Sequence, residues 1–423
     1  MAEWQRTSQV RREGSGSRAG VRLAHAVRLL GAVILLLGFT GVVTAGAAQA
    51  SQPGMAAGSG WKVEPTPNQN RNGAGINVLS AVSCTSGRAC TAVGSHAASL
   101  SSPGFTLAER WNGTRWRIQP TILPGGAVSA TFSGVSCASA TACIAVGSTP
   151  GKAADTSVSL AEAWNGRSWR VQAIPAPKGS TSSSLFGVSC TSPDACTAVG
   201  NYSTATGRVL ALAERWNGAR WAIQPVPRPL GAASERFSGV SCSAARACTA
   251  VGDQTGGSAG TRPVAKAWNG TKWHSQTVPL PPASPGGILA TVSCTSPRAC
   301  TATGANFSNT GPTLAVRWDG TRWRVQPTPT PNFTTSHQQP ELNSVSCASA
   351  TACTATGAYA PGGHSAYFLE AWNGRGWRLV TAPHPAGFAS GALNGTSCVL
   401  ARCTAVGAWS GGPIFVATLA MAN

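Results

Sequence analysis

Seven times along this chain of 423 residues, a cysteine is followed at close range by a second one: Cys84 and Cys90, Cys137 and Cys143, Cys190 and Cys196, Cys242 and Cys248, Cys294 and Cys300, Cys347 and Cys353, Cys398 and Cys403. The first members stand 51 to 53 residues apart. A period of that length means that one supersecondary unit is built repeatedly and that each copy buries its apolar face against the next. The unit must be small and strand-rich, because the chain holds 50 Gly and 28 Pro and only 11% charged residues, which excludes an array of amphipathic helices.

Around each pair the sequence reads Val-Ser-Cys, five residues, then Cys and a small apolar run ending in Gly, as in Val82-Ser83-Cys84 and Cys90-Thr91-Ala92-Val93-Gly94. The seventh copy has Thr396 for Val and one residue fewer between its cysteines. Downstream, six copies carry Trp-Asn-Gly-x-x-Trp, at Trp111 and Trp116, Trp164 and Trp169, Trp216 and Trp221, Trp268 and Trp273, Trp318 and Trp323, Trp372 and Trp377, with Asp319 once replacing the Asn. Asn-Gly between alternating apolar residues predicts a two-residue hairpin turn. That register sets Trp111 opposite Thr114 and Glu109 opposite Trp116, with all four on one sheet face.

Each copy thus supplies four short strands, one on either side of the Cys turn and one on either side of the Trp-Asn-Gly turn. Four strands per repeat, seven times, predicts an all-β, seven-bladed β-propeller. The ends fit a closed ring. The seventh copy stops at Phe415-Val416-Ala417-Thr418-Leu419 without a fourth strand, while Trp61-Lys62-Val63-Glu64-Pro65-Thr66-Pro67 matches Trp323-Arg324-Val325-Gln326-Pro327-Thr328-Pro329. An N-terminal strand completing the last blade removes two open sheet edges. With these motifs, residues 61–423 resemble secreted bacterial β-propeller repeat proteins. The Gly113 and Trp116 positions are similar to part of the Asp-box of sialidase-type propellers. Trp111 stands where that box has its Asp, so the resemblance implies no sialidase catalytic residues. The Gly-Gly doublet of kelch propellers is missing.

Residues 1–28 hold six arginines, Leu29–Val43 is apolar, and Ala48-Gln49-Ala50 offers a small-x-small site. These are the parts of a secretory signal peptide over 1–50, followed by a linker at 51–60. An uncleaved membrane anchor is the alternative, since no charge appears from Leu29 to Gly60 and a bilayer needs only about 20 apolar residues. Either way the ring is expected to be exported, and thiols in an oxidising compartment pair. Local pairs across hairpin turns suit disulfide geometry. A metal site lacks a recurring His or third Cys near the pairs. The expectation is seven disulfides, no metal and no cofactor.

Function is less constrained. The tryptophans can form a carbohydrate-stacking surface or pack one blade on the next. Glu109, Glu162, Glu214 and Glu370 recur at one strand position and read as partners of nearby Arg or Trp N–H groups. The Cys and Asn-Gly turns share one end of the ring, which leaves the variable loops at the other, where binding residues usually reside. Two groups stand out there: His337, Gln338, Glu341, Tyr359, His364 and Tyr367 around the sixth blade, and Glu235, Arg236, Asp253 and Arg262 in the fourth. Beyond residue 50 the chain has 26 Lys+Arg against 11 Asp+Glu. Half of those cations recur on the outer hairpins: Arg110, Arg115, Arg117, Arg167, Arg170, Arg215, Arg220, Lys272, Arg317, Arg322, Arg324, Arg375 and Arg378. Such a rim can hold anionic polymers, or its arginines can simply stack on tryptophans. The leading expectation is a secreted, monomeric, non-enzymatic module that uses this variable loop face to bind an extracellular glycan, an anionic cell-wall polymer or a protein, with no nucleic-acid partner. Membrane contact is expected only through an uncleaved N-terminal segment. The alternative is a polysaccharide lyase or glycosidase with its site in the variable loops, for which paired carboxylates are the requirement.

Overall fold

The computed structural model describes residues 60–69, 75–228, 231–256, 260–308, 313–329, 340–359, 364–400, 402–411 and 415–423. The proposed signal peptide and most of the linker therefore lie outside the described residues. Among the described residues no helix is long and apolar enough to cross a membrane.

The first blade contains β2 (Gly75–Ser86), β3 (Ala89–Ala97), β4 (Phe105–Trp111) and β5 (Trp116–Gln119), paired antiparallel in that order. From β6 (Thr131–Ser139) to β25 (Trp377–Val380) the order repeats in five further four-stranded sheets. The last blade is β26 (Ser390–Val399), β27 (Arg402–Ser410), β28 (Phe415–Ala422) and the N-terminal β1 (Lys62–Glu64), which pairs antiparallel with β28 in the register Lys62↔Ala422, Val63↔Met421, Glu64↔Ala420. Seven blades from seven copies, closed by the N-terminal strand, is the architecture expected.

Glu64 fastens this closure. One of its carboxylate oxygens accepts from the Trp116 indole N–H at 2.9 Å, and the other accepts from Arg402 at 2.7 Å, so blades seven and one share it. Elsewhere a glutamine holds the equivalent place: Gln119, Gln172, Gln224, Gln276 and Gln326 accept from Trp169, Trp221, Trp273, Trp323 and Trp377 of the following blade at 2.8 to 3.2 Å. The second tryptophan of every hairpin is thus buried in a seam, with its one polar atom satisfied.

Nearer the axis a second ring of bonds explains the Val-Ser-Cys motif. The Cys137 N–H donates to Ser83 Oγ at 2.9 Å, Cys190 to Ser136, and so on around to Cys84, which donates to Ser397 at 3.0 Å. All seven links are present. The glycine ending each apolar run is required by close approach: a Cβ at Gly94 would sit 1.9 Å from the Val78 carbonyl oxygen, and Gly147, Gly200 and Gly407 meet the same obstacle at 1.9 Å.

All fourteen cysteines pair as the repeat predicts. Cys84 is bonded to Cys90, Cys137 to Cys143, Cys190 to Cys196, Cys242 to Cys248, Cys294 to Cys300, Cys347 to Cys353 and Cys398 to Cys403, with Cα atoms 3.9 to 4.0 Å apart and no free cysteine. The second members, Cys90, Cys143, Cys196, Cys248, Cys300, Cys353 and Cys403, are the buried ones and belong to the apolar seams. On the chain-entropy account each small loop contributes roughly 2 kcal/mol.

The Trp hairpin departs from expectation. Trp111 lies opposite Trp116 and Glu109 opposite Ile118, because the turn has four residues rather than two. Asn112 Oδ1 accepts the N–H groups of Thr114 and Arg115, both at 3.0 Å, and only Gly113 takes a positive φ, 95°. This Asx turn, rather than a two-residue type I′ turn, fixes the register.

Candidate functional site

The two ends of the ring differ in kind. At one end the Cys turns and the Trp hairpin turns touch: the Trp111 indole N–H donates to the Gly87 carbonyl at 3.3 Å, and Trp216 donates to Pro193 at 3.2 Å. The six tryptophan pairs have ring centroids 5.7 to 5.9 Å apart. Their second members are buried in the seams, so the indoles serve packing.

Two groups stand out among the cations of the rim and of the Cys turns. Arg110 donates to the Ala140 carbonyl at 2.6 Å and lies over Trp164, Arg215 donates to Ala245 at 2.5 Å, Arg317 covers Trp372, and Arg402 covers Trp111. These four brace one blade against the next. The other group is exposed in the turns themselves: Arg115, Arg167, Arg220, Lys272, Arg322 and Arg375 in the Trp hairpins, with Arg88, Arg246 and Arg298 in the Cys turns. The only acids in these described turns are Asp194 and Asp319, and Asp319 is held by Arg324 at 2.9 Å. Thr321, Arg324 and backbone N–H groups around the Asp319 carboxylate keep it ionised far below the usual carboxylate range.

The recurring glutamates do not serve the tryptophans, which bond to the glutamine ladder instead. Glu109, Glu162, Glu214 and Glu370 are fully buried at the seams. Desolvation pushes the carboxyls of Glu109, Glu214 and Glu370 up to about 8 and that of Glu162 to about 7. Glu162 accepts weakly from the Ile122 N–H at 3.4 Å and Glu370 from Thr313 at 3.5 Å. Both oxygens of Glu214 are buried without a partner among the described residues. At neutral pH burial therefore favours the protonated acid at Glu109, Glu214 and Glu370 and leaves Glu162 balanced between its two forms.

In the fourth blade the same position is Lys266, 1% exposed, paired with Glu235 at 2.6 Å and donating to the Pro227 carbonyl. Glu235 is raised by burial, and the ammonium opposes that shift. Arg236 and Asp253 are cross-strand partners joined by two contacts of 2.8 and 2.9 Å, with Asp253 2% exposed. Both carboxylates of this cluster are therefore bound to cations on their own blade. Arg262 faces Gln254 across the strands and lines a cleft of about 400 Å³ beside the blade. A second cleft, about 300 Å³, opens at the seam between the third and fourth blades, lined by Lys178, Tyr202, Arg208, Gln224, Arg228 and Glu235 among others. Nothing in the sequence pattern marks it, because its cations come from three different connections.

In the sixth blade, Glu341 begins one strand opposite Ala358, and Tyr359 ends the neighbouring strand with its ring 5.8 Å from Phe368. His364 is exposed. Tyr367 is 3% exposed, donates its hydroxyl to the Pro383 carbonyl at 2.7 Å, and stacks with His384 at 4.8 Å and Phe388 at 5.1 Å, which places it in the seam with the seventh blade. Burial pushes the Tyr367 phenol up and the His384 imidazole down. His337 and Gln338 lie outside the described residues. Among the described residues no three His, Cys, Asp or Glu side chains come together in a way that could hold a metal ion.

No protein-family model and no curated protein matches the chain. Solved structures do. YCF48 from Cyanidioschyzon merolae is 11% identical, with a TM-score of 0.49 over 86% of this chain and 98% of that one. The SapL1 lectin in complex with alpha methyl fucoside is 13% identical, with a TM-score of 0.45 over 74% and 98%. The polysaccharide lyase PL25-Ulvanlyase is 10% identical, with a TM-score of 0.46 over 82% and 91%. This chain is similar to each along most of its length at low identity, and no ligand or reaction transfers from any of them.

Proposed function

We propose that this protein is an exported, non-enzymatic propeller that holds an anionic polymer of the cell surface or cell wall against the turn end of its ring. A signal peptide over residues 1–50 would deliver it, and seven disulfides suit the oxidising compartment beyond the membrane. The carrying observation is the set of nine exposed turn cations against two acids, presented by a rigid cross-linked frame. A polymer with regularly spaced charges can engage several of these cations at once, and each contact adds without rearranging the strands that carry them.

The test is retention of the folded protein on polyphosphate, isolated cell walls and a panel of charged and neutral polysaccharides, titrated with salt and scored for released sugar. Retention on the anionic polymers alone, lost as salt rises, is the expected result. Replacing Arg115, Arg167, Arg220 and Arg322 together with Gln should weaken it strongly without changing the fold. Salt-independent retention, or release of sugar, would overturn the proposal, and the latter would direct attention to the loop-end carboxylates.

A further inference from the structure

We infer that the cleft between the third and fourth blades is a separate binding site for a carboxylated sugar, one or two uronate units long. It lies on blade elements away from the turn-end cations and does not depend on them.

Three cations line this cleft, and none is paired with a carboxylate among the described residues: Lys178, Arg208 and Arg228, all exposed. Arg208 reaches across the seam to the Ala232 carbonyl at 3.4 Å, which steadies its guanidinium at the cleft edge while leaving its other N–H groups to donate. The single carboxylate in the lining, Glu235, is neutralised from beneath by Lys266 at 2.6 Å. The cleft is therefore electropositive, and an anion entering it meets no uncompensated negative charge. The pairing of Glu235 with Lys266 belongs to the fourth blade alone, since the other described blades place Glu109, Glu162, Glu214, Val316, Glu370 or Met421 where Lys266 stands.

The rest of the lining selects among anions. Gln224 spends its carbonyl oxygen on the Trp273 indole, which leaves its amide N–H groups as donors beside an apolar wall that includes Leu210 and Pro225. Half-buried Tyr202 adds a ring next to them. Phosphate alone has no use for an apolar wall. A pyranose ring offers both a C–H face for that wall and hydroxyls for the amide, and a carboxylate at its edge suits a guanidinium fork. The volume, about 300 Å³, is at the small end for ligand clefts and suits one or two rings.

The experiment uses the folded protein with β-1,4-diglucuronate, its neutral counterpart cellobiose, and a blocked Glu-Glu dipeptide as probes, followed by saturation-transfer NMR and calorimetry. Diglucuronate should bind at least about tenfold more tightly than either of the others. The double variant Arg208→Gln with Arg228→Gln should lose at least about tenfold in that affinity. The same variant should keep its retention on polyphosphate, whereas Arg115→Gln with Arg167→Gln should keep its diglucuronate affinity. Should the first double variant prove unstable, Lys178→Met tests the same point. The inference is overturned by no diglucuronate binding at millimolar concentration, by equal binding of cellobiose, by equal or tighter binding of the dipeptide, or by undiminished affinity in a folded variant.

Discussion

The buried glutamates should make the stability of this ring fall as pH rises through neutrality. Glu109, Glu214 and Glu370 have carboxyls raised from 4.5 to about 8 in the fold, and Glu162 to about 7. Between the unfolded and folded values the native state holds protons that the unfolded chain has released. Unfolding free energy must therefore fall as pH rises through that window, and the contribution of these carboxyls is constant below about 4.5 and above about 8. Each carboxyl contributes about 1.4 kcal/mol per pH unit while its two states differ by a full proton. His96 and His384, lowered by burial, act in the opposite sense only below their ordinary value of 6.5, and Asp319 titrates well below the window. The interval from about 6.5 to 7.5 is thus governed by the glutamates, and Glu109, Glu214 and Glu370 together give a slope of up to about 4 kcal/mol per pH unit. The assay is urea unfolding followed by tryptophan fluorescence at a series of pH values, with disulfides intact. Glu214→Gln, which imitates the protonated acid, should remove about a third of the slope and raise stability at pH 8 by a few kcal/mol, with little effect at pH 5. A wild-type midpoint that does not change between pH 6.5 and 8, or a Glu214→Gln slope equal to the wild type, would refute the assignment of neutral acids to the seams.

Three further outcomes are expected. Ser189→Ala leaves the Cys242 N–H without its acceptor and should cost about 1 to 3 kcal/mol in denaturant unfolding; a cost near zero would mean that the serine ring is decorative. Deleting residues 61–67 removes β1 and the Glu64 clasp, and should unfold or aggregate the protein, while Glu64→Leu alone should lower stability by about 2 kcal/mol through the unpaired Trp116 and Arg402; a stable truncate would disprove the closure. Peptide mapping without reduction should recover seven pairs, each within one hairpin, and any long-range pair contradicts the fold.

The blade count, the disulfides and the N-terminal closing strand are legible in the sequence because each is local or a direct consequence of the period. The bonds between blades are not. Ser83 and Cys137 are 54 residues apart, and the period shows which residues are equivalent without showing which of them touch. Trp169 and Gln119 illustrate the same limit: the indole partner is a glutamine of the preceding blade, whereas the glutamate nearest in sequence is buried apart from it. The hairpin register is open to misreading because Asn-Gly suits two turn geometries. Asp319 in the Asn position is the signal for the longer one, since its Oδ1 accepts the N–H groups of Thr321 and Arg322 just as Asn112 accepts those of Thr114 and Arg115. In the fourth blade, Lys266 replacing a glutamate is visible in the sequence, but its compensation by Glu235 requires the strands to be brought together.

The cross-links and the clasp set a timetable for assembly as the chain emerges from its first residue to its last. Each cysteine has its partner within one hairpin, so oxidation can follow each repeat as it appears, with little opportunity for wrong pairing. Glu64 and its strand appear before any blade, yet their partners in Phe415–Ala422 arrive last. In the interval the growing arc has an open edge at each end, the condition in which strands recruit neighbours of other chains. The ring's two open edges are therefore removed together at one late step, when β1 meets β28.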